Sequence, residues 1–192
     1  MAEANTRNTG SRNPRGNNAR REQAPVEKKQ FEELVINVDR VSRVVKGGRR
    51  FRFKALVAIG DGKTKVGVGV AKGADVQAAV AKATNVAKKQ MITISIDRDT
   101  IAHDAEVKVS GAQVLLRPAA PGTGIIAGGV VRSIIGLTGI HNLLSKSLGS
   151  TNKVNIAYAT IDALKSIVPR DEWLNAPSKK PAVKTVEVEE IK

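Results

Sequence analysis

From Phe51 to Ile59 the side chains alternate in a way that only an extended chain accommodates. Phe51, Phe53, Ala55, Val57 and Ile59 fall on one face, and Arg50, Arg52 and Lys54 on the other. Gly60-Asp61-Gly62 follows and contains Asp-Gly, a strong short-range hairpin signal. The returning run at 63–70 places Thr64, Val66, Val68 and Val70 on one face, and Lys63, Lys65, Gly67 and Gly69 on the other. An earlier alternating run at 31–45 reads as a strand and enters the hairpin through Lys46-Gly47-Gly48-Arg49-Arg50. Asp75 is placed to cap a helix running to about Gln90, with Val76, Ala79, Val80, Ala83, Val86 and Ala87 as its apolar stripe. The segment reads β-β-β-α, a helix on one face of a small sheet and cations on the loops and the opposite face.

The texture changes after Met91. Residues 91–96, 105–109 and 112–117 read as strands, the last two joined at Ser110-Gly111. A glycine-rich stretch at 121–129 leads into an apolar helix ending near Gly136 or Gly139. A short strand at 143–148 precedes a last helix, which Ser150-Thr151-Asn152 caps and Pro169 stops. Val154, Ala157, Ile161, Leu164 and Val168 form that helix's stripe. This second half has the order β-β-β-α-β-α, so the fold class is α+β with two small domains, at 31–95 and 96–168. The tail at 1–30 is rich in Asn, Arg and Gly. It has too little apolar surface to offset ordering, so it is expected to be disordered when free. It is either a solvated leader or an arm that orders along RNA. The tail at 169–192, with Pro177 and Pro181, is expected to be poorly ordered.

Charge narrows the partners. Over 192 residues, 32 Lys and Arg face 18 Asp and Glu, a formal net charge of +14. A charge this lopsided favours a polyanion, either nucleic acid or an anionic membrane surface. With no cysteine there is no thiolate nucleophile and no Cys-based zinc site, and with two histidines a three-His site is impossible. No catalytic residues, metal ligands or cofactor are assigned. The longest apolar run, between Arg117 and Arg132, is too short to span a bilayer and is broken by Pro118 and Pro121. The first thirty residues lack the apolar core of a secretory signal, so a cytoplasmic location is expected.

The positive cluster is Arg40, Arg43, Lys46, Arg49, Arg50, Arg52, Lys54, Lys63, Lys65 and Lys72, with few acids between. A charge run is often only a solvated face. Here the cations recur on adjacent strands and their turns, which points to RNA. Aromatics are scarce, and Phe51 and Phe53 are expected in the core, so base stacking lacks a platform. Contact with phosphates and 2′-hydroxyls of structured RNA, read by shape, remains. Gly67 and Gly69 either admit an RNA backbone or serve packing.

Three phosphate-type signals are weaker. Gly62-Lys63-Thr64 ends like a Walker A loop, but Val57 stands where that loop needs glycine. The glycines at 122–129 form either an anion site at a helix start or a tight structural turn, and the turn is preferred. Gly136-Leu137-Thr138-Gly139 fits the GxxG pattern of KH domains but carries no charge, and better suits a helix end.

Residues 41–51, Ala55-Leu56-Val57, Gly60-Asp61-Gly62 and Val66-Gly67-Val68-Gly69 resemble the bacterial small-subunit ribosomal protein five family. So do Pro121-Gly122-Thr123-Gly124-Ile125-Ile126-Ala127-Gly128-Gly129, Gly139-Ile140-His141-Asn142, Gly149-Ser150-Thr151-Asn152 and Ala159-Thr160-Ile161-Asp162. The resemblance implies a first domain similar to double-stranded-RNA-binding domains. It implies a second like the domain shared with galactokinase-type kinases and translocation factors, and no enzymatic activity. It also implies binding to small-subunit ribosomal RNA near the neck, with a part in assembly. Further implied are ribosomal proteins four and eight as neighbours, nearness to the channel by which messenger RNA enters, and an influence on decoding accuracy. By motif, Lys46, Gly47, Gly48 and Arg49 look like the family's loop toward neck RNA. Gly124 and Arg132 look like fidelity positions at the protein-four boundary. The chain departs from the family pattern at Gln77, Leu148, Lys153 and Tyr158. Other readings left open are a free RNA-binding regulator and a phosphotransferase built on the second domain.

Overall fold

The computed structural model describes residues 31–169 and Glu172; the tails expected at 1–30 and 169–192 lie outside the described residues apart from Pro169 and Glu172. The first alternating runs fold into three antiparallel strands, β1 (Glu32–Val45), β2 (Gly48–Gly60) and β3 (Lys65–Gly73), followed by α1 (Val76–Lys89) and β4 (Ile92–Thr93). The order in space is β1-β2-β3-β4. The second sheet has the order β5-β6-β8-β7 and is built from β5 (Ala105–Val109), β6 (Ala112–Pro118), β7 (Ile125–Ile126) and β8 (Leu143–Gly149). Helices α2 (Gly129–Ile135) and α3 (Lys153–Lys165) complete it. The architecture is α+β with two small domains.

The two domains share a core. Along β2, Ala55, Val57 and Ile59 pack with Ala79, Ala83 and Ala87 of α1. On the opposite face Leu56 and Ala58, with Val66 and Val68 of β3, join a larger cluster that includes Val131, Ile134 and Ile135 of α2 and Leu164 of α3. Helices α2 and α3 thus lie between the two sheets, touching β2 and β3 on one side and β5 and β6 on the other. The second sheet keeps its outer face toward solvent, as the burial of alternate residues in β6 shows. A β-bulge at Val35–Asn37 turns Ile36 toward the shared core and brings the Asn37 amide oxygen to Lys153 Nζ, 2.8 Å away at the start of α3.

Several expectations need correction. The opposite face of the first sheet is not wholly cationic, because its inner half is roofed by the second domain. Residues 91–96 do not start the second sheet. Only Ile92 and Thr93 are strand, and they pair with Val66 and Lys65 on the open edge of β3. The two-residue β7, parallel to β8, was not expected, since two residues inside a glycine run show no periodicity. Asp75 occupies the N-cap position of α1, but its side chain makes no capping bond. Asn152 does cap α3, accepting from the Val154 N–H at 3.1 Å, and the helix ends at Lys165 rather than reaching Pro169.

The α1 stripe also works differently. Its buried residues are Ala79, Ala83, Thr84 and Ala87, whereas Val76 is exposed. The helix is drawn against the sheet by missing side chains: a Cβ on Gly69 would lie 2.2 Å from the Ala83 carbonyl oxygen, and one on Gly67 2.5 Å from that of Ala87. Those glycines are therefore packing positions, and the alternative that they admit an RNA backbone is overturned.

Candidate nucleic-acid interface

Strand β2 outruns β3. Phe53 faces Gly73, the last residue of β3, so everything earlier in β2 pairs only with β1. Val41–Val45 against Gly48–Arg52 form a two-stranded ribbon closed by Lys46 and Gly47. An isolated hairpin of this kind is marginal in water, and this one is held because its strands continue into the packed sheet. Gly48, at φ +132°, supplies backbone that L residues with side chains rarely adopt, which lets the turn close.

Cross-strand register sorts the cations. Paired residues share a face, so Arg43, Arg50, Arg52, Lys54 and Lys72 lie on one side and Arg40 and Arg49 on the other, with Lys46 at the tip. Arg43 stands directly opposite Arg50, and Lys54 opposite Lys72. Like charges so placed are destabilising by roughly 0.2–1 kcal/mol per pair. From Arg40 to Gly60 the sequence contains no carboxylate. Asp39 sits opposite Lys54 at the ribbon's root, 2.9 Å from its Nζ. Hydrogen bonds from Lys54 and then Asn37 hold the Asp39 carboxyl below the usual carboxylate range. Among the described residues three ion pairs form, and Lys54 is the one cluster member that takes part.

Lys63 and Lys65 belong elsewhere. They lie at the other end of β2, whose thirteen residues span roughly 40 Å. The turn there is clasped from within. The Asp61 carboxylate accepts the N–H groups of Lys63 and Lys65, the Gly62 N–H donates to the Leu137 carbonyl, and the Gly139 N–H donates to that of Lys63. The segment 136–139 is therefore a joint between the domains, buried at Leu137 and Thr138, and not an RNA loop. The cluster read from sequence is one patch of ten in name only: eight of its residues gather on the ribbon and its root, and two lie apart.

Phe51 was expected in the core, yet it is 53% exposed, and the Arg40 guanidinium stands 4.7 Å from its ring centroid. The misplacement has a simple cause. Alternation assigns a face but not a neighbour, and β3 and α1 end before they reach Phe51. Counting pairs outward from the Asp61-Gly62 turn would have revealed this, because Gly73 already faces Phe53.

The second domain carries the other two residues of interest. Gly124 has φ +74°, and its N–H and that of Gly122 both donate to the Asn142 Oδ1, at 3.1 and 3.0 Å. Arg132 donates from its guanidinium to the Ile125 carbonyl at 2.7 Å. The glycine loop is thus held from two sides. The Gly122 and Gly124 N–H groups are taken up by Asn142, which the sequence offered only as the last residue of the motif Gly139-Ile140-His141-Asn142. Among the described residues no three His, Asp or Glu side chains gather to hold a metal, and no helix is long and apolar enough to cross a membrane.

Two family models match the chain. Residues 31–95 match the one described as ribosomal protein S5, N-terminal domain, and residues 107–173 match the one described as ribosomal protein S5, C-terminal domain.

Proposed function

The chain belongs to the ribosomal protein S5 family, and from that premise we propose where and how it acts on the small ribosomal subunit. It is a ribosome-associated RNA-binding protein with a structural rather than catalytic part in translation. The finer reading is that the ribbon enters ribosomal RNA near the neck, on the side where messenger RNA enters. There Arg43, Lys46, Arg49, Arg50 and Arg52 contact phosphates, and Gly47 and Gly48 keep the tip narrow. Lys54 and Lys72 continue that grip at the root, while Lys63 and Lys65 meet RNA separately. One observation carries this reading: a protruding ribbon with cations on both faces and, among the described residues, no carboxylate paired with those cations. Such an arrangement works against folding unless a polyanion supplies the missing charge.

The same reading places proteins four and eight as neighbours and a cytoplasmic location, and gives the protein a part in assembly. The loop at 121–129, fixed by Asn142 and Arg132, faces protein four. Gly124 and Arg132 influence accuracy there by favouring one of two subunit conformations. Replacing Arg132 by Ala frees the Ile125 end of the loop, and misreading in cells should change; rates equal to those of the parent would remove the accuracy role.

Hydroxyl-radical footprinting of small-subunit RNA with and without the protein tests the placement. Protections confined to one helical junction, with the protein co-sedimenting with the small subunit, are expected. Diffuse protection, or protein remaining mostly free of the subunit, would leave an unattached RNA binder instead.

A further inference from the structure

We infer that Phe51 is a docking point for a single unpaired base, so that the ribbon reads an irregularity in the RNA as well as its backbone. This rests on the reading of the ribbon as an RNA contact and adds a ligand class to it. Three observations carry the inference. First, the ring is more than half exposed, at 53%, on a segment that neither β3 nor α1 reaches. A phenyl ring kept in water without a partner is unfavourable, and its neighbour on the same face, Val44, is 74% exposed. Register puts Phe51 opposite Ser42, with Arg40 and Val44 diagonal to it, so two exposed apolar side chains share one face of the ribbon among cations.

Second, the ring is positioned. The Arg40 guanidinium 4.7 Å from the centroid braces it by a cation–π contact. An exposed aromatic side chain that is already braced loses little freedom when a second planar group lands on it. Third, the surroundings select the partner. Arg40, Arg49 and Lys46 lie around the patch and no carboxylate occurs from Arg40 to Gly60, so an acidic RNA strand is drawn in where an apolar protein surface gains nothing from the charge. The planar apolar part of an RNA strand is its base. A base inside a duplex has both faces covered, so the occupant is a bulged or looped-out base whose phosphates sit on the flanking arginines.

The test compares two RNA hairpins with the full chain: one a perfectly paired stem, the other the same stem with a single bulged 2-aminopurine. The bulged stem should bind about tenfold more tightly, within the usual worth of one base on an aromatic ring, and its 2-aminopurine fluorescence should be quenched on binding. Phe51→Leu keeps an apolar residue with room on the strand. It should abolish both the preference and the quenching while leaving paired-stem affinity within about twofold and the salt dependence unchanged. Phe51→Trp should retain the preference, and it answers the same question if the Leu variant fails to fold. Equal affinity for the two stems in the parent protein, or a preference that Phe51→Leu leaves intact, would overturn the inference while leaving the phosphate grip standing. No saturable binding to either stem would overturn both. Unchanged RNA binding by Phe51→Leu together with loss of a ribosomal-protein contact would assign the ring to protein instead.

Discussion

The two ends of β2 live in different worlds. Its first five residues, from Gly48 to Arg52, are all exposed, and its last six, from Ala55 to Gly60, are all buried. The inner half has a partner on each face, α1 on one and the second domain on the other. It therefore reads as the uninterrupted apolar run expected of a strand covered on both sides. The outer half has only β1 beside it and bears arginine where the inner half bears leucine and alanine. One strand thus carries a buried segment and an exposed cationic segment end to end, and its contacts within the chain decide which is which.

The contrast can be broken most forcefully from the inside. Leu56→Ala removes a fully buried side chain from the joint between the domains and should cost about 2–5 kcal/mol, read as a lowered denaturation midpoint. Its RNA affinity, measured well below that midpoint, should stay near that of the parent. A loss of affinity without a loss of stability would mean that the two halves are not separable.

The mirror experiment neutralises the outside. With Arg49, Arg50 and Arg52 all replaced by Gln, RNA affinity should fall on the order of a hundredfold at moderate salt, and the log–log salt slope should shrink by about three. Stability should hold, or rise slightly as the repulsion between Arg43 and Arg50 is relieved. A midpoint falling as far as that of Leu56→Ala would show that the ribbon is part of the core's support.

The smallest effect lies at the boundary between the halves. Asp39 titrates below its ordinary value of 3.8, chiefly because Lys54 hydrogen-bonds to its ionised form. A carboxyl whose folded value is lowered contributes stability above its unfolded value. That contribution is lost as the pH falls through the lowered value. Asp39→Asn should therefore flatten the acid limb of the stability curve below about pH 4, by lowering stability slightly at neutral pH while matching the parent in acid. At neutral pH it also releases Lys54, so RNA binding should tighten modestly. An acid limb identical to that of the parent would show that the Lys54 contact does not hold the root of the ribbon.

Much of this was legible in the residues. The three long strands, the turn at Asp61-Gly62, α1 and α3 follow from period and capping, because each is a local property of a few neighbours. What was illegible is what one element does to another. Leu56 and Ala58 stand on the face that Arg50, Arg52 and Lys54 mark as polar, and only the arrival of α2 and α3 explains them. Gly67 and Gly69 could not be assigned until α1 was seen lying on them. Lys63 and Lys65 are close in sequence to the arginines of β2, but the strand carries them to the far end of the sheet. Asn142, which organises the glycine loop, stood only in a motif with no role attached: a lone amide acquires its role only when two N–H groups eighteen and twenty residues away are brought to it.

The turn of 60–63 and the segment 136–139 hold each other by paired backbone bonds, and β2 runs from that joint to the ribbon without a break. The angle at which the arginines leave the protein is therefore set by how the domains are bolted together. The ribbon cannot be re-aimed without opening that joint, so its bearing is set once, when the chain folds.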